Sequence, residues 1–161
     1  MHWIPARDKM KIETSLYQVG LRMLGLKEIP GANDNPFINW CLSTTTIPQP
    51  YHDEIPWCSA WVNGLCYLLG LPRSGSAAAR SWLKVGTEIA LEDAVIGLDV
   101  VILKRGIEPQ PGPDVLNAPG HVGIFAGMGN GDVLLLAGNQ GDKVSIEGFK
   151  TSSILGVRRL A

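Results

Sequence analysis

The spacing of apolar residues divides this chain into a helical first half and a strand-rich second half. Apolar residues recur at mostly helical intervals over residues 12–26, which predicts a helix capped by Thr14 or Ser15. A turn follows, and Pro36 is well suited to begin a short second helix that runs through Trp40. The first part of the chain therefore predicts a set of short helices.

The central apolar segment predicts a buried helix. Residues 57–69 are apolar on nearly all sides, and Gly70 is a suitable residue to end the helix. A further short helix is predicted over residues 76–83, with Ser74 or Ser76 as its cap. A helix without a polar face must be covered on all sides, so this segment is expected at the centre of the fold.

From residue 99 onward the period becomes that of strands. Five short runs rich in β-branched residues alternate with glycine-containing turns, at residues 99–104, 121–126, 133–137, 143–147 and 154–158. A loop with four prolines, residues 106–119, precedes the second run, and loops of this length are often functional. Helices followed by antiparallel strands predict an α+β domain.

Length and charge narrow the possible classes of protein. A chain of 161 residues predicts one domain, 1–161, with a helical part over about 12–86 and a β part over about 99–160. The net charge is −1 and the pI is near 6.3, without a basic stripe, so we expect no nucleic-acid partner. The first nine residues lack the apolar run of a signal peptide, and nothing approaches the ~20 apolar residues of a membrane span. We therefore expect synthesis in the cytoplasm and no membrane insertion.

One of the three cysteines has the surroundings of a reactive thiol. An odd number of cysteines argues against a disulfide framework, and Cys41 and Cys66 lie in apolar segments typical of core thiols. Cys58 follows Pro56, which suits the first position of a helix. The free N–H groups and the dipole of a helix start favour a thiolate, so we expect a lowered pKa for Cys58.

A histidine and a pair of amides complete a candidate catalytic set. His121 is predicted on a strand, and Asn139 and Gln140 follow the next apolar run. This order of cysteine, histidine and amide is that of papain-like thiol hydrolases, in which the histidine is the base and a third polar group fixes its tautomer. Activity should then need the Cys58 thiolate and a protonated His121, which predicts a bell-shaped pH profile.

Several nearby residues allow both a structural and a functional interpretation. Glu54 is either a helix-start carboxylate or a contact for a substrate amine. Trp57 and Trp61 lie four residues apart, and core packing is favoured over substrate stacking. Arg80 carries the same ambiguity, and Ser59 is a candidate supporting residue beside the thiol.

Other charged residues near these segments predict little chemistry. Residues 52–54 together with Cys58 resemble a metal cluster only weakly, because catalytic zinc needs three well-placed ligands and the usual spacings are missing. We therefore expect no metal and no cofactor. Lys104 and Arg105 are most simply solvated charges at the end of a strand.

Five blocks of sequence resemble the CHAP-type (cysteine, histidine-dependent amidohydrolase/peptidase) cell-wall hydrolases, in particular those of phages and prophages of Gram-negative bacteria. The blocks are residues 54–63, 79–83, 99–106, 120–123 and 138–140. The resemblance implies a papain-like, CHAP/NlpC-type fold, with N-terminal helices and a central buried cysteine helix on a sheet of five to six antiparallel strands. It also implies cleavage of amide bonds in peptidoglycan peptides.

The resemblance assigns roles to individual residues. Cys58 matches the nucleophile and His121 the base. Many CHAP enzymes place a glutamate shortly before an asparagine on the next strand. Here Asn139 matches the asparagine, while Ala137 or Gly138 occupies the glutamate position. Asn139 is therefore the first choice for orienting His121, and Gln140 is the second.

The expected function is that of a peptidoglycan hydrolase, either an N-acetylmuramoyl-L-alanine amidase or an endopeptidase, of the phage endolysin type. We expect a monomer whose partner is the peptidoglycan stem peptide, acting in the periplasm or cell wall after release through a holin or after injection. Two alternatives stay open. One is a non-catalytic wall-peptide-binding or phage structural module, and the other is a thiol acyltransferase or deamidase effector that passes the acyl group elsewhere.

Overall fold

The computed structural model of the protein describes residues 12–161, in which three α-helices precede a six-stranded antiparallel sheet. The helices are α1 (Leu16–Leu21), α2 (Pro36–Ser43) and α3 (Cys58–Leu69). This arrangement confirms the α+β class and the N-terminal helices. The first nine residues, for which we predict no signal peptide, lie outside the described part of the chain.

The sheet contains all five predicted strands and one that the pattern does not predict. The strands are β1 (Thr87–Ile89), β2 (Asp99–Lys104), β3 (Gly120–Gly129), β4 (Asp132–Gln140), β5 (Lys143–Lys150) and β6 (Ile154–Arg159). Their order in the sheet is β1-β6-β2-β3-β4-β5, with antiparallel pairing throughout. The strand missed by the pattern, β1, has only three residues and pairs with β6 at one edge.

Helix α1 is shorter than the 12–26 span predicted from its apolar spacing. Ser15 caps its start in a capping box with Gln18, so Ser15 is the correct cap of the two candidates. After Leu21 the chain turns, and the N–H of Gly25 donates to the carbonyl of Val144 in β5. Hydrogen bonds to the sheet edge thus replace the last turns of the predicted helix.

Helix α3 is the central buried helix that the sequence predicts. It packs on β3 and β4, and it ends at Gly70 in the left-handed conformation, as expected. Its start differs from the prediction. Trp57 is the N-cap and Cys58 the first helical residue, so Pro56 lies outside the helix. Neither α3 nor any other helix within residues 12–161 combines the length and the apolar character of a membrane span.

The predicted α-helix over residues 76–83 is instead a 3-10 helix, Ala79–Lys84, which has no side-chain cap. Ser74 and Ser76 do not cap it, because they belong to a loop held by the buried Asn63. The Asn63 amide donates to the Ser74 hydroxyl and to the Ser76 carbonyl. Its oxygen accepts the N–H of Gly75. A tertiary hydrogen-bond network therefore replaces the predicted caps.

The start of α3 is fixed to the sheet by a close approach between Trp57 and Gly138. The Trp57 indole is fully buried, and its Nε1 donates to the carboxylate of Glu28 at 2.8 Å. A Cβ at position 138 would overlap the indole ring. Only glycine leaves room for this contact, which holds the beginning of α3 against β4.

This contact generates a stability prediction. Gly138→Ala should lower the free energy of unfolding by about 1–3 kcal/mol, because the added methyl displaces a packed indole. Urea denaturation measures the change. Gly148→Ala in β5 is the matched control, because a Cβ there meets its neighbours at an ordinary 3.5 Å. Equal stability losses in the two variants would contradict the proposed close approach.

Candidate active site

Cys58 lies where unpaired backbone N–H groups converge. It is the first residue of α3 and is 3% exposed, and no side chain caps the helix start. The N–H groups of Cys58 itself, of Ser59 and of Val122 in β3 face the sulfur. Val122 directly follows His121, so the thiol lies beside the backbone of the strand that carries the histidine. This arrangement offers hydrogen-bond donors both to a thiolate and to an oxyanion formed beside it.

Burial dominates the ionisation of this thiol. Desolvation raises the pKa of Cys58 above its ordinary value, while the Val122 N–H and the charge of Arg105 act in the opposite direction. The prediction of a lowered pKa is therefore wrong, because the helix start is enclosed by the sheet instead of open to water. Desolvation also raises the pKa of Cys41 and Cys66 to about 12, in keeping with their predicted place as core thiols.

The hydrogen bonds of His121 determine its tautomer. The ring is 5% exposed, and its Nε2 lies 2.9 Å from the Oε1 of Gln140. The Gln140 amide nitrogen donates to the carbonyl and the hydroxyl of Ser145, so the amide oxygen is the atom that faces the ring. Nε2 must then carry the proton. Nδ1 is buried without a partner among the described residues, which leaves its lone pair available as a base.

Gln140, and not Asn139, makes the hydrogen bond to the His121 ring, although Asn139 is the first choice from the sequence. A bulge in β4 breaks the pairing register between Ala137 and Gln140, and Asn139 adopts a positive φ of 57°. This bulge directs Gln140 into the sheet interior toward the ring. Asn139 lines the cavity next to His121 without hydrogen-bonding to the imidazole. The preference for Asn139 as the orienting residue is therefore corrected in favour of the second choice.

Burial also changes the pKa of the histidine. Desolvation lowers the pKa of His121, although the hydrogen bond to Gln140 opposes the shift. A raised thiol pKa and a lowered imidazole pKa both favour the neutral forms. Burial therefore acts against the ion pair of Cys58 thiolate and protonated His121 that the sequence predicts.

One cavity adjoins each of these two residues. One of about 370 Å³ adjoins His121, Asn139 and Gln140. The other, of about 440 Å³, adjoins Cys58 and is walled by small residues of the 3-10 helix and of the 106–119 loop. Both cavities are bounded by Arg105, which the sequence interpretation treats as a solvated charge. Arg105 follows β2 two residues after Leu103, the register partner of His121, and this spacing is the signal that could have identified it.

A buried arginine holds the loop that walls the Cys58 cavity. Residues 106–119 form the long irregular loop that the prolines predict. Arg80 is 0% exposed, and its guanidinium donates to the carbonyls of Pro119, Pro111, Gly112 and Val115 at 2.8–3.0 Å. The open question about Arg80 is therefore answered, because this side chain is an internal anchor and not a substrate contact.

The predicted supporting residues occupy different places. The Ser59 hydroxyl is turned away from the thiol, since it donates to the Ser76 carbonyl and accepts from the Trp82 indole. Trp57 is in the core, as its spacing favours. Glu54 is exposed in a neighbouring cavity beside Glu28. Of these three residues, Ser59 contributes its backbone N–H to the thiol, and Trp57 positions the helix start.

A buried carboxylate that sequence reasoning weighed only as a weak metal ligand fixes the approach to Cys58. Asp53 is nearly fully buried, and its Oδ2 accepts the N–H groups of Ile29 and Asn35 at 2.8 and 2.7 Å. Its own N–H donates to Asp34. These bonds connect the segment before α3 to the segment before α2, so Asp53 determines the path by which the chain reaches the cysteine.

Comparison with known proteins identifies the fold. No protein-family model matches the sequence, and neither does any curated protein. Among solved structures, the chain is similar to one entitled structure of NlpC1 from Trichomonas vaginalis, with a TM-score of 0.50 and 19% identity. The similarity covers 94% of this chain but 46% of that one, so this chain spans less than half the length of its neighbour.

This similarity confirms a papain-like, NlpC-related fold, which is the part of the predicted resemblance that concerns architecture. The CHAP-type and phage assignments stay predictions, because at this identity the likeness reports the fold alone. The roles of Cys58, His121 and Gln140 rest on their geometry in this chain.

The pKa directions predict how the thiol reacts with pH. Since burial raises the pKa of Cys58, its alkylation by iodoacetamide should have a midpoint above the ~8.5 of an ordinary cysteine. Rate measurements over pH, with peptide mapping to separate Cys58 from the core thiols, determine this midpoint. Cys58→Ala supplies the background. A plateau that persists to pH values below ~6 would instead show a preformed ion pair.

The Arg80 anchor predicts a loss of order in the loop. Arg80→Met leaves buried carbonyls unpaired, so the free energy of unfolding should fall by at least about 2 kcal/mol, and amide exchange should accelerate in residues 106–119. Exposed Arg22→Met is the matched control. Unchanged exchange in the loop of the Arg80 variant would contradict the anchoring role.

Proposed function

We propose that this protein is a thiol hydrolase that cleaves an amide bond of the peptidoglycan peptide. One observation carries the proposal. The Nδ1 atom of His121 is buried and has no partner among residues 12–161, its tautomer is held by Gln140, and the next residue of its strand faces a cysteine that begins a helix. A purely structural histidine has no need of a free ring nitrogen in a buried position.

The first half of the reaction forms an acyl-enzyme. Nδ1 of His121 accepts the proton of the Cys58 thiol while the sulfur attacks the scissile carbonyl. The carbonyl oxygen becomes an oxyanion beside the N–H groups of Cys58 and Ser59 at the uncapped helix start. The resulting imidazolium donates its proton to the leaving amine, the C–N bond breaks, and a thioester forms.

The second half releases the product. His121 accepts a proton from a water molecule, and the water oxygen attacks the thioester carbonyl. The same N–H groups stabilise the second oxyanion, and the sulfur leaves as the imidazolium returns its proton. Gln140 stabilises the imidazolium through one neutral amide oxygen, which is a weaker interaction than a carboxylate would make.

The substrate follows from the five sequence blocks that resemble CHAP-type hydrolases, to which the papain-like fold adds support. Peptidoglycan stem peptides are the proposed partner, and the bond is either the one that an N-acetylmuramoyl-L-alanine amidase cuts or one within the peptide. The cavity beside Cys58 and the cavity beside His121 provide space for such a substrate.

The proposed setting is that of a phage or prophage endolysin that acts as a monomer. In this setting the protein is made in the cytoplasm and reaches the wall through a holin or by injection. The irregular 106–119 loop contributes the wall of the cleft that selects the substrate.

Digestion of purified Gram-negative peptidoglycan tests the proposal. The wild type should release fragments whose masses identify the bond cut. Cys58→Ala should release none above background, since loss of the nucleophile typically costs at least ~10³-fold in rate. Cys66→Ala, in the same helix but in the core, should retain activity and controls for the loss of a thiol.

Other outcomes separate the alternatives. Wild-type binding to the wall without fragments, retained in Cys58→Ala, would contradict hydrolysis and favour a binding or phage structural module. Incorporation of a labelled amine in place of water, dependent on Cys58, would favour an acyltransferase.

A further inference from the structure

Arg105 lies close to both members of the proposed reactive pair. It follows the last residue of β2, and it bounds both the cavity beside Cys58 and the cavity beside His121. Its charge is close enough to lower the pKa of both groups. Among the described residues, no other charged side chain borders both cavities.

The guanidinium of Arg105 has no carboxylate partner in the part of the chain that the structure describes. Two other arginines do have one: Arg159 pairs with Asp99 and Arg158 pairs with Glu88. The Arg105 side chain is exposed, so its five donors are solvated and available to a ligand. An unpaired arginine beside a nucleophile is a ready site for a planar anion.

The two cavities differ in charge, and the difference identifies the side on which an anion fits. The cavity beside His121 contains Lys104 and Glu147 in addition to Arg105, so its charge is mixed. In the cavity beside Cys58, Arg105 is the one charged lining residue, and the remainder are small alanine, glycine and proline residues together with Cys58. A carboxylate meets no like charge from the lining of this cavity.

We propose that Arg105 is a specificity residue that binds a free carboxylate of the substrate in the cavity beside Cys58. The inference rests on the proposed hydrolase function, whose substrate it narrows. The favoured substrate is an amide with a small side chain and a free carboxylate within about one residue of the scissile bond. The planar fork of arginine accommodates such a group through two parallel hydrogen bonds.

Paired alkylating reagents test the site without any substrate. Iodoacetate carries a carboxylate and iodoacetamide a neutral amide, while both react with the same thiolate. The ratio of their rates at Cys58 is therefore independent of the thiol pKa. Arg105→Gln should lower the iodoacetate-to-iodoacetamide ratio about fivefold, as expected for loss of one charge at about 4 Å in water. Arg105→Lys should retain most of the ratio.

Lys104→Gln is the matched control. It removes the same charge from the neighbouring residue, whose side chain lines only the His121 cavity. Its ratio should stay at the wild-type value. An unchanged ratio in Arg105→Gln, or equal falls in both variants, would overturn the proposal. Failure of both reagents to modify Cys58 would also overturn it, because a ligand in this cavity must reach the thiol.

A substrate pair then separates this inference from the proposed function. Two otherwise identical peptides, one with the carboxylate and one with the carboxamide, are offered to the wild type and to Arg105→Gln. The wild type should prefer the carboxylate, and the variant should lose that preference through a raised KM. Cys58-dependent cleavage of both peptides without preference would refute the role of Arg105 and leave the hydrolase intact. If the iodoacetate-to-iodoacetamide ratio falls in Arg105→Gln as expected but neither peptide is cleaved, the hydrolase function alone is refuted.

Discussion

The structure depends on the burial of the beginning of α3 against the sheet. Trp57 packs on Gly138 of β4, and the first residue of the helix, Cys58, lies beside the Val122 N–H of β3, one residue after His121. Burial removes water from the helix N–H groups, so they remain free to bind an anion. It also penalises the anion itself, which is why the pKa of the thiol rises despite those donors.

The polar groups around His121 keep its proton on Nε2. The bulge at Asn139 directs Gln140 into the interior. There its amide nitrogen donates to Ser145, and its oxygen accepts the hydrogen bond of the His121 Nε2–H. The amide oxygen and nitrogen are thus both committed, and Nδ1 of His121 has no partner in the described part of the chain. A neutral thiol and a neutral imidazole are the forms that burial favours, because they avoid the desolvation cost of a buried ion pair.

Two buried charged side chains hold the loops around this centre. Arg80 binds four backbone carbonyls of the 106–119 loop, and Asp53 binds backbone N–H groups before α2. Both pair with main-chain groups instead of opposite charges, so each one organises an irregular segment that has no ladder of its own. The cleft walls are therefore fixed from the interior, and the exposed Arg105 is left free to meet a ligand.

The sequence by itself determined the order and type of most elements, because period and turn residues act locally. Five strands, the buried α3, its end at Gly70 and the candidate pair of Cys58 and His121 were all predictable on this basis. Tertiary structure decided the rest. It ended α1 at the sheet edge, made the segment after Ser76 a 3-10 helix, chose Gln140 over Asn139 and reversed the expected pKa direction of Cys58. Each of these depends on groups distant in sequence, through hydrogen bonds, a bulge or burial that no local pattern encodes.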